Sequence, residues 1–529
     1  MSGSKNLLKN TFGVSLATLA SRICGLLRVK LEALAIGGGL TATIWFTALM
    51  IPNLFRRLLG EGALGTALIP VVAQEERENG IPEVRKVLAQ VLCVLGAALA
   101  LIVTVVSLGA ILLQTDPLGI DSAFLASARV QGVCKLLPLI MPYAFFICLT
   151  GVIGAVLNYA GIFVRPALTA VLFNLCMILG LLIGFFSGLS PESLLILLAL
   201  LTPAAGAVQL LLMLWMLKEC GRFPDFCRSA FASFAVTWKV LKLASPGMMA
   251  YGVLQISFVI DRTLALYLGD QAVPALTYVD RLIDLPIGLF AVSLGTVLMA
   301  SMTRAAADKD WQEMNEQLNL SMRHVWFVCS PMAAMVIFFH AEILSVLCLG
   351  GRYTGDDLDA ARLVAIFYGM GIPFFCSMKV LLPAFYSRQD MKRPFYVSLV
   401  AISVNIILNL ILMIPLKQGG LALATVCSSC VNNSCLLYLL AKDGFSLRRG
   451  TLFSAVRSVM TALIPAIPIW FAVPLFSTLF PATFTAHLLV LTVVAVVYGC
   501  GFFLLAWLFK VPELRELFTI LRRRKKKSA

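Results

Sequence analysis

The chain has 529 residues, of which 60% are hydrophobic and only 13% charged. A water-soluble domain carries roughly a quarter charged residues, so the composition excludes a string of soluble domains and points to a polytopic membrane protein. The charge that remains is lopsided, 42 Lys and Arg against 27 Asp and Glu, and the net +15 has to be placed somewhere.

A helix needs about 20 apolar residues to cross the hydrocarbon. In chain order, fourteen segments read as spans: 12–36, 41–60, 86–113, 131–157, 166–187, 193–217, 240–268, 274–301, 322–349, 360–386, 394–414, 419–440, 454–476 and 484–509. The first follows Lys5 and Lys9 and carries Arg22 and Arg28, too long and charged for a cleaved signal peptide. Short linkers such as Gly37-Gly38-Gly39 and Gly269-Asp270 join the spans, and residues 302–321 read as an amphipathic surface helix.

Lys and Arg in the loops set orientation. With the N-terminus inside, the inner loops carry Arg77, Arg85, Arg165, Lys218, Arg222, Arg304, Arg388, Arg393 and Arg448, and the basic tail Arg522–Lys527 joins them. The opposite loops offer Arg129, Arg352, Arg362 and Lys417. Both termini are therefore expected in the cytoplasm. A basic run beside a membrane helix reads as an anchor on anionic lipid, and no nucleic acid is expected as a partner.

The 14 cysteines lie mostly in apolar runs, where Cys behaves as a small apolar residue. That includes Cys427-x-x-Cys430. The three histidines are far apart, so no metal centre is expected. Asp308-Lys309-Asp310 and Asp357-Leu358-Asp359 read as acid-rich helix starts. No nucleotide loop, zinc motif or nucleophile elbow appears, which argues against an enzyme.

An internal repeat is visible. Leu64-Gly65-Thr66 recurs as Leu294-Gly295-Thr296, and Arg165-Pro166 as Arg393-Pro394, with Asn174 and Asn405 following. The matches are six spans apart, which keeps orientation and makes the halves parallel repeats. The expected fold is an all-α polytopic membrane protein. Residues 1–225 and 226–445 form two six-helix lobes, and 446–529 add two helices and the basic tail.

A charge at the centre of a membrane helix costs about 2.5–3.5 kcal/mol on insertion scales. Ser21, Gly25, Arg28 and Glu32 nevertheless form one stripe of the first span, and Asn53, Arg57 and Glu61 one of the second. Lys30 is expected to reach outward. Asp280, Arg281 and Asp284 cluster in the eighth span, and Lys379, Pro383 and Tyr386 share a face of the tenth. Internal salt bridges such as Arg57 with Glu61 would absorb some of this charge. Basic residues dominate in the first two spans, so a cavity awaiting an anion absorbs the rest. Arg is the bidentate partner of phosphate. A second polar group, Asp261, Asn405, Asn409 and Thr425, reads either as a seat for a monovalent cation or as interhelical hydrogen bonding.

Ser21-Arg22-x-x-Gly25-x-x-Arg28 and the run from Pro52-Asn53-Leu54-Phe55-Arg56-Arg57 to Glu61-Gly62-Ala63 resemble the MurJ (MviN) family of lipid II flippases. Tyr278-Val279-Asp280-Arg281-Leu282, the stretch Lys379 to Asp390, Gly154-Ala155-Val156-Leu157-Asn158 and Pro415-Leu416-Lys417 carry the resemblance further, over about residues 5–440. It implies the multidrug/oligosaccharidyl-lipid/polysaccharide exporter fold in the bacterial inner membrane. It also implies export of lipid II, the undecaprenyl-pyrophosphate-linked peptidoglycan precursor, by alternating access in company with the cell-wall machinery.

The substrate residues that the resemblance implies are Arg22, Arg28, Arg56, Arg57, Asp280, Arg281 and Lys379. No cofactor is implied beyond a coupling cation or the membrane potential. The alternative is a flippase for another polyprenyl-linked glycan, or a cation-coupled drug exporter. Val29 and Thr43 stand where the family often has acids, and Asp284 where it often has Glu.

Overall fold

The computed structural model describes residues 2–60, 63–115, 123–227, 234–477 and 483–516. Its regular elements are helices: α1 (Ser2–Ile36), α2 (Leu40–Phe55), α3 (Ala63–Asn79), α4 (Ile81–Thr115), α5 (Ala128–Ile140), α6 (Pro142–Tyr159), α7 (Val164–Phe186), α8 (Pro191–Glu219), α9 (Ala235–Leu268), α10 (Ala272–Pro286), α11 (Val292–Ala307), α12 (Trp311–Leu347), α13 (Gly355–Tyr386), α14 (Lys392–Leu416), α15 (Gln418–Lys442), α16 (Arg449–Ser477) and α17 (Phe484–Leu508). Among the described residues there are also two π-helical turns, Arg56–Gly60 and Ile287–Ala291.

Among the described residues, ten helices are long and apolar enough to cross a membrane: α4, α6, α7, α8 and α12 to α17. The other expected spans coincide with α1, α2, α9 and the pair α10–α11. These contain most of the intramembrane charges, and α2 and α10 are only 16 and 15 residues long before each meets a π-turn. A proline precedes each π-turn, Pro52 within α2 and Pro286 at the end of α10. Proline removes one ladder hydrogen bond and crowds the preceding turn, and a widened turn accommodates the mismatch.

Three expectations about local structure change. A helix not expected after the second span, α3, runs from Ala63 to Asn79. The span 131–157 is divided at Met141 into α5 and α6, with Pro142 opening the second piece. Residues 302–321 form no separate surface helix. They are shared between α11 and α12 across a turn in which Lys309 is left-handed (φ 56°). Asp310 caps α12 by accepting from the Glu313 N–H at 2.9 Å. Asp357 closes a capping box with Thr354 at the start of α13. Asp310 and Asp357 thus stand at helix starts, as read, whereas Asp308 caps the end of α11.

The chain forms two compact units, Met1–Pro274 with Gly351–Tyr353, and Ala275–Gly350 with Thr354–Ala529. In the first, Leu68 and Val71 of α3, Leu88 and Leu95 of α4, Val152 of α6 and Leu217 of α8 make one core. Trp45, Ile140, Met177 and Leu198 make another. Helix α9 packs on α3 in this unit. In the second unit, α16 and α17 lie on α12 through Ala462, Ala466, Val494, Phe502, Phe327 and Phe339. Their other faces, with Phe471, Leu475, Val496 and Trp507, are exposed. That is the pattern of a lipid-facing surface, where the solvent is itself apolar.

The repeat has a structural counterpart within each unit. The π-turns begin at 56 and 287, an offset of 231. A Cβ on Gly65 of α3 would sit 3.2 Å from Ala155 of α6, and one on Gly295 of α11 would sit 2.8 Å from the Lys379 carbonyl of α13. The matched glycines thus serve the same close helix approach.

A polar clasp closes the second unit beyond α17. Glu513 is fully buried, and it accepts from Arg323 Nε at 2.5 Å and Ser454 Oγ at 2.7 Å. Burial by itself would raise its carboxyl, but the Ser454 and Arg323 bonds outweigh this and hold it below the ordinary value. A carboxyl lowered in the folded state stabilises the protein above its unfolded pKa, about 4.3. The contribution is lost as pH falls through the folded value. Glu513→Gln is expected to cost about 2 kcal/mol near neutrality and to blunt the acid-side loss of stability. Thermal unfolding of both proteins across the acid range measures this.

Candidate functional site

The charged stripe of α1 faces protein, as its spacing requires. Helix α1 lies against α7. Ser21 O accepts from Asn174 Nδ2 at 3.2 Å, and a Cβ on Gly25 would lie 3.9 Å from the same nitrogen. Arg28 is 8% exposed, and its guanidinium stands 5.5 Å over the Phe173 ring. One turn on, Glu32 is 2% exposed, with Oε1 3.4 Å from Arg28 Nε. Trp45 of α2 donates its indole N–H to that same oxygen at 3.4 Å. Val29, the residue after Arg28, is buried in the core. Arg22 is half-buried, and so is Lys30, which was expected to reach outward.

The first π-turn carries the next two arginines. Arg56 Nε donates to Asn53 Oδ1 at 3.1 Å, and Asn53 Nδ2 donates to Leu49 O at 2.9 Å. Arg57 turns to α9: Nη1 donates to Gln255 Oε1 at 3.4 Å, and the guanidinium lies 5.0 Å over Phe258. Glu61, the expected partner of Arg57, lies outside the described residues. Arg262 stands 5.2 Å over the same Phe258 ring and donates to Val273 O at 3.5 Å. One aromatic ring therefore serves two cations of the first unit, a cation–π arrangement. The turn is seated by glycines: a Cβ on Gly151 of α6 would fall 2.2 Å from the Gly60 carbonyl oxygen.

In the second unit, Tyr278 and Val279 are fully buried and anchor α10. Asp280 beside them is half-buried, while Arg281 and Asp284 are exposed. The Lys379 side chain is exposed on α13. Of the second polar group, Asp261 belongs to the first unit and the other three residues to the second. Asn409 Nδ2 donates to Asn405 Oδ1 at 3.1 Å, Asn405 Nδ2 to Thr425 Oγ1 at 3.4 Å, and Thr425 Oγ1 to Leu421 O at 3.0 Å. The Asn405–Thr425 bond joins α14 to α15, the ordinary work of amides and hydroxyls between membrane helices, while the other two lie within α14 and within α15.

None of the fourteen cysteines is in a disulfide. Among the described residues no cluster of three or more His, Cys, Asp or Glu could hold a metal.

The arginines are legible in the sequence, but what holds them is not. Phe173, Gln255 and Phe258 are ordinary residues of apolar helices and give no signal until the helices are packed. Glu32 was visible as a charge at membrane depth but had no assigned role.

Residues 33–495 match the family profile described as lipid II flippase MurJ. A relative from Rhizobium tropici, described as a probable lipid II flippase MurJ, is 30% identical over 465 residues, covering 86% of each chain. One from Vibrio cholerae with the same description is 30% identical over 487 residues, covering 87% of this chain and 88% of its own. One from Burkholderia cenocepacia, described as lipid II flippase MurJ, is 29% identical over 442 residues, covering 83% and 84%.

Among solved structures, lipid II flippase MurJ in an inward closed conformation superposes with a TM-score of 0.72 at 23% identity, covering 93% of this chain and 98% of that one. An inward-facing multidrug transporter of the MATE family superposes at 0.63 with 15% identity, covering 84% and 98%. Those two likenesses establish the fold. The profile match and the relatives establish more: this chain is a multi-pass membrane protein of the MurJ lipid II flippase family, a family of transporters and not of enzymes.

Proposed function

We propose that this chain moves lipid II from the inner to the outer leaflet of the bacterial cytoplasmic membrane by alternating access, with both termini cytoplasmic. Two lobes would alternate about an arginine-lined cavity. Arg28, Arg56, Arg57 and Arg281 would take the pyrophosphate and head group, with Arg22, Asp280 and Lys379 beside them. The polyprenyl tail would lie along the exposed apolar faces of α16 and α17.

The observation that carries this reading is Arg28. A guanidinium 8% exposed, in a helix placed among membrane spans, makes no hydrogen bond among the described residues. A bidentate oxyanion such as a phosphate group supplies what it lacks. The energy source belongs to the same proposal: a coupling monovalent cation or the membrane potential.

The test uses a cell in which this chain is the sole flippase. After its depletion, lipid II is expected to stay inaccessible to reagents confined to the outer face, and re-expression restores access. Outward exposure that persists after depletion overturns the proposal. Accumulation of a different polyprenyl-linked glycan would instead favour another cargo for the same fold.

A further inference from the structure

We propose that Glu32 is the resident counter-anion of Arg28, holding the guanidinium in the empty protein and reclaiming it as the anionic head group leaves. The inference rests on the reading of Arg28 as an anion ligand.

Both groups are largely buried, their side chains 9% and 3% exposed. A buried charge with no partner costs several kcal/mol, so each keeps the other tolerable. The pairing is nevertheless loose. The Nε–Oε1 separation is 3.4 Å, against about 2.7–2.9 Å for a charge-assisted hydrogen bond. Arg28 Nε has no hydrogen-bond partner. The same carboxylate oxygen also faces the Trp45 indole N–H at 3.4 Å. The Phe173 face covers the guanidinium without accepting a hydrogen bond from it.

Arginine presents five N–H donors, and here a single carboxylate oxygen stands near them. An incoming pyrophosphate offers several oxygens and better geometry, so it can displace Glu32 from Arg28. The carboxylate then keeps the Trp45 indole as its donor and stays in place. When the head group leaves, Glu32 is already one helical turn away and reclaims the arginine. Such an internal competitor weakens resting affinity and speeds release. A transporter gains from that exchange, since an anion held too tightly by a buried arginine would not leave.

The test is calorimetric titration of the purified full-length protein with inorganic pyrophosphate, alongside lipid II transport. Glu32→Gln removes the competing charge and keeps the shape. It is expected to bind pyrophosphate about tenfold tighter while transport per molecule falls. Trp45→Phe removes the alternative donor and leaves Glu32 leaning harder on Arg28, so binding is expected to weaken a few-fold.

A merely structural role would displace Arg28 in both variants and weaken both. The inference is overturned if Glu32→Gln binds no tighter, or if the two variants shift in the same direction. If Glu32→Gln does not fold, Glu32→Asp decides: it draws the carboxylate back from Arg28 and is expected to bind pyrophosphate tighter, where a structural role would weaken binding, so unchanged or weaker binding overturns the inference. Arg28→Ala separates the two readings. If it binds pyrophosphate like the parent, the anion role of Arg28 fails. If it loses binding while Glu32→Gln does not tighten, only the counter-anion role fails.

Discussion

Replacing Arg28 with Met is expected to stop outward movement of lipid II and to lower stability by about 3 kcal/mol. Adding Glu32→Gln is expected to restore most of the stability and none of the transport. The reason is the pairing. Without Arg28, the carboxylate of Glu32 is left 2% exposed with only the Trp45 indole for a partner. Breaking one side of a buried ion pair costs more than removing both. Transport follows a different rule, because an anion needs the guanidinium itself. Thermal unfolding in detergent and a leaflet-accessibility assay on the single and double variants separate the two effects. A double variant that transports normally would remove Arg28 from the substrate path. A single variant as stable as the parent would mean that the ion pair contributes little to the fold.

The second large effect is expected at a glycine. Gly151→Ala places a Cβ 2.2 Å from the Gly60 carbonyl oxygen and 2.7 Å from its carbon. Both are backbone atoms, so no side chain can swing aside. Either α6 or the π-turn must shift, and the turn carries Arg56 and Arg57. Overpacking of this kind costs about 1–3 kcal/mol, and transport is expected to fall with it because two arginines lose their places.

Gly154→Ala, one turn along the same helix, is the control. Its Cβ would meet only Met213 Cε at 3.9 Å, an ordinary contact. Alanine in a helix interior is favoured over glycine by about 0.5–1 kcal/mol, so this variant is expected to be as stable as the parent or more so. Paired unfolding and transport measurements on the two variants check the contrast. Equal behaviour would show that the Gly60–Gly151 contact is not the seat of the turn.

Much of the protein could be read directly from its residues. An apolar segment of membrane length declares itself, and so does a charge inside one, because the cost of each is set by the local chain and the bilayer alone. That is why Arg22, Arg28, Arg56 and Arg281 stood out, and why Ser21, Gly25, Arg28 and Glu32 could be placed on one face. Asp310 and Asp357 were legible for the same reason, since a helix start is settled within three residues.

Local spacing failed where the outcome depended on a neighbour. Nothing in the sequence at 56–60 announced a π-turn, because it answers to Pro52 behind it and to Gly151 across the interface. Arg57 had Glu61 as its nearest acid in sequence, yet among its described contacts it meets Gln255 and Phe258, about two hundred positions away. The sequence by itself determined a helical membrane chain, its repeat and the arginines it must shelter. Only the tertiary structure decided that Glu32, Trp45 and Phe173 would close around Arg28. Which helix faces meet is a property of the whole packing, and a carboxylate buried on one helix has no meaning until another helix supplies the donor beside it.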